Sequence, residues 1–373
     1  MIAVIGGGQL ARMMQESAIA LGIELRALVE ASDGSTAQVV VDSTVGEAND
    51  PLAVARLVEG ADVLTFEHEH VPQALLAGLV PGLPVNPPAS ALVFAQDKLA
   101  MRERLTGLGI PCPRWARVDS AADLARFGDD VGWPVVVKTP VGGYDGHGVR
   151  LVETCDGVED WFARGTSLLA EEKVDFTHEM AALLARRPSG EVRSWPPALT
   201  EQDHGVCSVA IAPAPGLDPG IVEEATRIGE RIARALGVTG VLAVELFVVG
   251  APGHQHLLVN ELAMRPHNTG HWTIDGSTTS QFEQHLRAVL DLPLGDTTPT
   301  APVSVMVNLL GSDLEDPTRG LAAAMSASPR ARIHLYGKSV RPGRKLGHVT
   351  VCGDQVGQAR REAEDAIARL RGH

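Results

Sequence analysis

Residues 1–22 constrain the fold more than any other stretch of the chain. Ile2–Ile5 reads as a short apolar strand, Gly6-Gly7-Gly8 as a turn, and Gln9–Leu21 as a helix that Gly22 ends. A strand handed straight to a helix returns as a parallel neighbour, so this opening predicts a crossover unit. Glu24–Val29 supplies the next strand. Val39–Val41 and Val63–Phe66 are further strand candidates, with the helical stretch Pro51–Val58 between them. The alternation implies a parallel sheet with helices on both faces. Prolines at 81, 84, 87 and 88 punctuate its end.

Gly6-Gly7-Gly8-Gln9-Leu10-Ala11 fits G-x-G-x-x-A between a strand and a helix, the context of a dinucleotide-binding turn. Glu30, ending the second strand, stands where a ribose-binding acid would. One reading is therefore an NAD or FAD oxidoreductase. The other is that any unit placing an anion at a helix N-terminus wants this turn, whatever the anion belongs to.

A second stretch points to phosphate chemistry. Val135-Val136-Val137 reads as a buried strand, Lys138 ends it, and four glycines fall within Gly142–Gly148. A lysine at the end of a buried strand has an exit from the core and can face an anion. Glycines let backbone N–H groups approach that anion closely. Val149–Val152 completes a hairpin around the loop. No G-x-x-x-x-G-K-[ST] occurs, so this is not a P-loop. A plain glycine-rich hairpin with a surface lysine is the alternative.

Composition limits the partners. The 373 residues carry a formal charge of -14, which argues against sequence-independent binding to a nucleic acid backbone. Any phosphate site must then be a local gathering of cations. Only five of the 32 basic residues are lysines, at 98, 138, 173, 338 and 345. No apolar run approaches the roughly 18 residues of a membrane span. The four cysteines are widely spaced, signalling neither zinc nor a disulfide scaffold, and the start shows no secretory pattern. The expected compartment is the cytosol.

Further along, Gln96–Leu108 reads as a helix stopped by Gly109-Ile110-Pro111. Leu168–Val174 is another strand. Pro219–Leu236 is the clearest helix, with Asp218 placed to cap it and Gly237 to end it. From about Thr297 the chain continues as strands Val303–Leu309, Arg332–Tyr336 and Gly347–Val351, then the helix Val356–Leu370.

A pair of glutamates asks for a metal. Val241–Val249 is an apolar strand interrupted by Glu245, and Leu257–Glu261 follows a turn at Gly250–Gly253. Folded as a hairpin centred on Gly253, Glu245 faces Glu261 and residue 248 faces 258. Opposed residues on one face lie roughly 4.5–5.5 Å apart at Cβ, where like charges repel. Magnesium, which takes one or two carboxylates and completes its shell with water and phosphate, removes the conflict. Asn260 adds an oxygen nearby. The alternative is that one glutamate meets an arginine such as Arg265.

Together these residues resemble the ATP-grasp enzymes, and within them the 5-(carboxyamino)imidazole ribonucleotide synthases, the ATPase subunits of phosphoribosylaminoimidazole carboxylase. The segments that carry the resemblance are Gly6–Leu10, Gly142–Gly146, Asn260–Ala263 running to His267–Trp272, and Arg341–His348. They follow family order over almost the whole chain. The resemblance implies an α/β fold of ATP-grasp architecture. A Rossmann-like domain over 1–95 would precede a two-lobed ATP-grasp domain over 96–297, with its flap at 142–149. A small β-rich domain over 298–373 would follow. It also implies the reaction of ATP, bicarbonate and 5-aminoimidazole ribonucleotide through carboxyphosphate, with Mg2+ as cofactor, in purine synthesis by a homodimer.

Residue by residue, the resemblance implies catalytic positions at Asp145, Arg265, His267 and Asn268, in the substrate and bicarbonate pocket. ATP would meet Lys98, Lys138, the flap residues Gly143, Tyr144, Asp145, Gly146, His147, Gly148 and Val149, and the hinge Glu171, Glu172, Lys173 and Val174. Glu179 would hold the ribose, with Gln202, Asn260 and Glu261 also at the nucleotide. Gly8, Gln9, Leu10, Glu67, Lys338, Arg344 and Lys345 would bind the ribonucleotide. Glu245 and Glu261 would hold the metal. The chain departs from the family at His147, where arginine is commoner, at Gln202, often histidine, and at Met264, often proline. Two local alternatives stand: His267 and His271 as a helix-spaced metal pair, and Lys338–Lys345 as a solvated basic face. Three classes remain at this point: this ligase, a nicotinamide oxidoreductase, and a nucleotide-binding protein without catalysis.

Overall fold

The structure is a computed structural model that describes residues 1–79, 81–142, 148–203 and 205–373. Expectations for Gly143, Tyr144, Asp145, Gly146 and His147 lie outside the described residues. The described residues form three sheets. The first is parallel, with β1 (Ile2–Ile5), β2 (Leu25–Val29), β3 (Asp42–Val45) and β4 (Val63–Phe66) in the order β3-β2-β1-β4. The helix Gln9–Leu21 follows β1, and Gly22 ends it at φ 66. Val39–Val41 is not a strand. Asp42–Val45 pairs with β2 instead, with Asp42 opposite Arg26 and their side chains 2.6 Å apart. That pairing outweighs the β propensity of the valines, and Val41 is left wholly exposed.

The second sheet is small and antiparallel, with β5 (Trp115–Val118), β6 (Val135–Lys138), β7 (Val149–Val152) and β8 (Leu168–Glu172) in the order β5-β8-β6-β7. Lys138 pairs with Val149, so the expected hairpin around the glycine loop is present. The helix before this sheet runs Lys98–Gly107, starting two residues later than expected. Gln96 closes a preceding helix, and the Asp97 carboxylate caps the new one through the amides of Leu99 and Ala100.

The third sheet has nine strands. β9 (Phe176–Arg186), β10 (Val192–Ser194), β11 (Ala198–Asp203), β12 (Val206–Ala212), β13 (Gly240–Val249) and β14 (His256–Ala263) come first. β15 (Val303–Leu310), β16 (Arg332–Leu335) and β17 (Lys345–Gly353) extend it, because β15 pairs with β12. The C-terminal strands therefore continue the central sheet. The helix Pro219–Leu236 packs on β9 and β13, burying Ala225, Ile228, Ile232 and Leu236. Asp218 stands at its N-cap, but its carboxylate accepts instead from Gly253 N at 2.8 Å, tying the helix start to the β13–β14 turn. Among the described residues no helix is long and apolar enough to cross a membrane.

Candidate active site

A cavity of about 1210 Å³ lies where the three sheets meet. Gln9 and Glu67 reach it from the first sheet, Lys138 from the second, Glu245 and Glu179 from the third, and Lys345 from β17. No single domain contains the site.

Lys138 is buried at the end of β6, with Nζ 2.8 Å from Glu171 Oε2 and 3.2 Å from Asn260 Oδ1. Glu171 also accepts from Arg102 Nε at 2.5 Å, and Arg102 donates to the carbonyls of Val259 and Asn260. Burial alone would raise the Glu171 pKa. Lys138 and Arg102 overcome it and hold the carboxyl at about 2. Glu171 thus braces the lysine, while Glu172, also in the cavity lining, accepts from Arg114 N at 2.8 Å. Arg102, fully buried, was not foreseen. Its signal was the i, i+4 spacing from Lys98 on one helix face.

The acid pair is present with a different register. Val248 pairs with Leu257, and Val244 with Leu262, so a bulge sets Glu245 against both Asn260 and Glu261. Burial raises the Glu245 pKa to about 7, helped by the charges of Glu261 and Glu179. Glu261 lies 3.5 Å from Lys98 Nζ, and Glu245 lies 3.4 Å from His267 Nε2. Arg265 acts on Glu245 through its charge, which partly offsets the rise in that pKa. It bonds Glu69 at 2.7 Å, a residue missed in the sequence, whose only signal was its alternation with Glu67.

His267 is held well below its usual pKa by burial and then by Arg265 and Lys345, so its ring is neutral. Its Nδ1 lies 3.0 Å from Thr269 Oγ1. Asn268 donates to Cys207 O at 3.4 Å, and its buried Oδ1 has no partner among the described residues. His271 turns into the core, with its ring centroid 5.0 Å from that of His348, so it makes no metal pair with His267.

At the first glycine turn, carboxylates occupy the amides a dinucleotide would need. Glu30 accepts from Gly7 N at 3.1 Å, and Glu67 from Leu10 N at 3.3 Å. Glu67 has its pKa raised, chiefly by burial. A side chain on Gly8 would overlap that carboxylate. Lys338 reaches across from the C-terminal region to donate to Gln9 Oε1. Arg344 donates to Ser339 and does not line the cavity, whereas its neighbour Lys345 does.

Lys173 and Val174 line the cavity beyond β8, beside Phe176 and Phe247, whose rings stack at 4.7 Å. The two rings form a flat apolar wall. Glu179, its pKa raised by burial, Gln202 and Val149 also line the cavity, and Gly148, at φ 74, directly precedes β7.

Family models match three successive parts of the chain. They are a ribonucleotide synthetase preATP-grasp domain over 1–96, an ATP-grasp domain over 103–282, and a phosphoribosylaminoimidazole carboxylase C-terminal domain over 304–362. The N5-carboxyaminoimidazole ribonucleotide synthase of Corynebacterium ammoniagenes is 50% identical over 370 residues, covering 97% of this chain and 90% of that protein. The crystal structure of the synthetase from Thermus thermophilus has TM-score 0.88 at 38% identity, covering 100% of this chain and 99% of that one. The synthase of Aspergillus clavatus, solved with ADP and 5-aminoimidazole ribonucleotide, has TM-score 0.88 at 30% identity, covering 99% and 98%. With cavity, acid pair and braced lysine in place, the chain belongs to the N5-carboxyaminoimidazole ribonucleotide synthase family of ATP-grasp enzymes.

Proposed function

We propose that this chain uses ATP and bicarbonate to carboxylate the exocyclic amine of 5-aminoimidazole ribonucleotide, a step of purine synthesis. The observation that carries the reading is the single cavity in which Lys138, the Glu245–Glu261 pair and the Arg265–Asn268 segment meet. A bicarbonate oxygen attacks the γ-phosphorus and the bond to the β-phosphate oxygen breaks, giving carboxyphosphate and ADP. Carboxyphosphate splits into carbon dioxide and phosphate. The amine nitrogen then bonds the carbon and loses a proton.

Charge developing on the transferred phosphoryl group meets Lys138, fixed by Glu171, and Lys98. Arg265, held by Glu69, offers cationic N–H groups to bicarbonate. His267, beside it in the cavity lining, can accept a hydrogen bond there. Glu67 and Gln9 face the ribonucleotide, and the phenylalanine wall faces the base of ATP.

Glu245 and Glu261, with Asn260 beside them, would hold Mg2+, which would offset charge on the phosphates. Burial, and after it the charges of Glu261 and Glu179, raise the Glu245 pKa, and a bound cation would oppose all three. Among the described residues no group of three or more His, Cys, Asp or Glu is arranged for a metal. The division at 95 and 297, the homodimer and the cytosolic compartment belong to the same reading, and the four free cysteines accord with a reducing compartment.

Incubation with ATP, magnesium, bicarbonate and aminoimidazole ribonucleotide should release ADP in step with loss of the aminoimidazole. Tight NADH binding without ATP turnover would overturn the assignment. Lys338→Ala should raise KM for the ribonucleotide, leaving that for ATP unchanged. Loss of one charge-assisted contact costs roughly 1.5–3 kcal/mol, or about ten- to a hundredfold. Arg344→Ala should act in the same direction but less, because Arg344 donates to Ser339, whereas Lys338 reaches Gln9 in the cavity wall. An equal rise in KM for ATP would put these cations in the wrong pocket.

A further inference from the structure

No residue of the helix Gln281–Val289 lines the cavity. Gln281 and His285 are one turn apart, so they share a face. Gln281 is fully buried, and its carboxamide grips one residue on both sides. Oε1 accepts from His267 N at 2.8 Å, and Nε2 donates to His267 O at 2.8 Å. The second Nε2 hydrogen goes to His271 Nδ1 at 3.0 Å. The helix start is pinned in turn, because Gln281 N donates to Thr273 Oγ1, which donates to Gly270 O at 2.6 Å. Gly270 leaves room for the carboxamide, since a Cβ there would overlap Oε1.

One turn on, His285 Nδ1 accepts from Val241 N at 3.1 Å. Its proton therefore sits on Nε2, which donates to Thr65 Oγ1 at 2.8 Å. Val241 precedes Glu245 on β13, and Thr65 precedes Glu67 at the end of β4. One helix face is thus bonded to the three segments that carry His267, Glu245 and Glu67.

We propose that Gln281 and His285 are positioning residues that set the mutual placement of the bicarbonate, metal and ribonucleotide segments. Neither lines the cavity. Two of the three Gln281 contacts are to the backbone of His267 itself, so a change there moves the imidazole and the neighbouring Asn268 without altering their chemistry. A misplacement of about 1 Å in such a group can cost on the order of 10²-fold in rate. The inference rests on the ligase reading above.

The test varies ATP, bicarbonate and ribonucleotide separately for wild type, Gln281→Met, Gln281→Glu and Gly270→Ala, with melting temperatures for each. Failure of the wild type to turn over would strike the ligase reading; the proposal is judged on variants of an active wild type. Gln281→Met, which removes all three bonds, should lower kcat/KM for bicarbonate about 10²-fold. KM for ATP should stay near wild type, and the ratio of aminoimidazole consumed to ADP released should fall. Gln281→Glu keeps the acceptor for His267 N and should recover part of the loss. Gly270→Ala crowds both the carboxamide and Leu183 Cδ2, so Gln281→Glu, which keeps the size of the side chain while losing both Nε2 donors, decides the matter if Gln281→Met fails to fold. A lower melting temperature with unchanged kinetics would overturn the proposal, as would an equal rise in KM for all three substrates.

Discussion

Glu245→Gln is expected to cut turnover by about 10²–10³-fold while making the metal-free protein more stable. Both effects come from one arrangement. The bulge in β14 sets Glu245 against Asn260 and Glu261, and Glu179 stands on the same side of the sheet. Without a metal ion, burial and then the charges of Glu261 and Glu179 let Glu245 hold its proton up to about pH 7. In the unfolded chain the same group ionises near 4.5. The folded state therefore binds more protons between those values, and stability from this group falls as pH rises from about 4.5 to about 7. Glutamine removes the dependence and the repulsion, so the variant should melt higher at pH 8, on the order of 2–4 °C for each kcal/mol relieved. Glu261→Gln should lose turnover similarly. Melting curves without magnesium, set beside rates with it, check both effects. Near-normal activity of either variant at limiting magnesium would end the shared-metal argument.

Much of the fold was legible because its signals are local. β1 and the helix Gln9–Leu21 come with a glycine turn before the helix and Gly22 after it, and Pro219–Leu236 with a clean apolar stripe. The strand Phe176–Arg186 is the counterexample. It is the longest strand and the middle of the site, yet its buried centre is Met-Ala-Ala-Leu-Leu-Ala, a sequence with helical preference. Burial between β11 and β13 makes it a strand, and that partnership spans residues far apart in sequence. The site shows the same division. Lys138 was legible because strand and glycine loop flank it, and the acid pair because two carboxylates interrupt apolar strands. The groups that hold them were not. Arg102 looks like any helical arginine until the fold closes it over Glu171, and Glu69 meets Arg265 only across two domains. The hairpin register slipped by one residue for a related reason, since nothing local announces the bulge at Asn260-Glu261.

Glu171→Gln should be the most destabilising single substitution at the site. The residue is 2% exposed and lies between Lys138 and Arg102, both buried with it. Removing one partner of a buried ion pair typically costs about 3–5 kcal/mol, because the remaining charge is left without compensation, and here two cations are stranded. At roughly 2–4 °C per kcal/mol the melting temperature should fall by about 10 °C or more. The pH dependence identifies the cause. The folded pKa of about 2 lies below the ordinary value of 4.5, so this stabilisation is fully present above 4.5 and is lost as pH falls toward 2. Wild type should therefore lose stability steeply over that acid range, and Glu171→Gln should lose less. Function should suffer in parallel, because a lysine released from its brace samples rotamers in which it no longer faces the phosphates. KM for ATP should rise about tenfold or more, the scale of one lost charged hydrogen bond. Melting curves from about pH 3 to pH 8 with ATP kinetics at pH 8, conditions chosen to span the carboxylate range, test the whole chain of reasoning. A variant that melts with wild type, keeps its acid sensitivity and binds ATP normally would show that Glu171 merely fills space between two cations that do not need it.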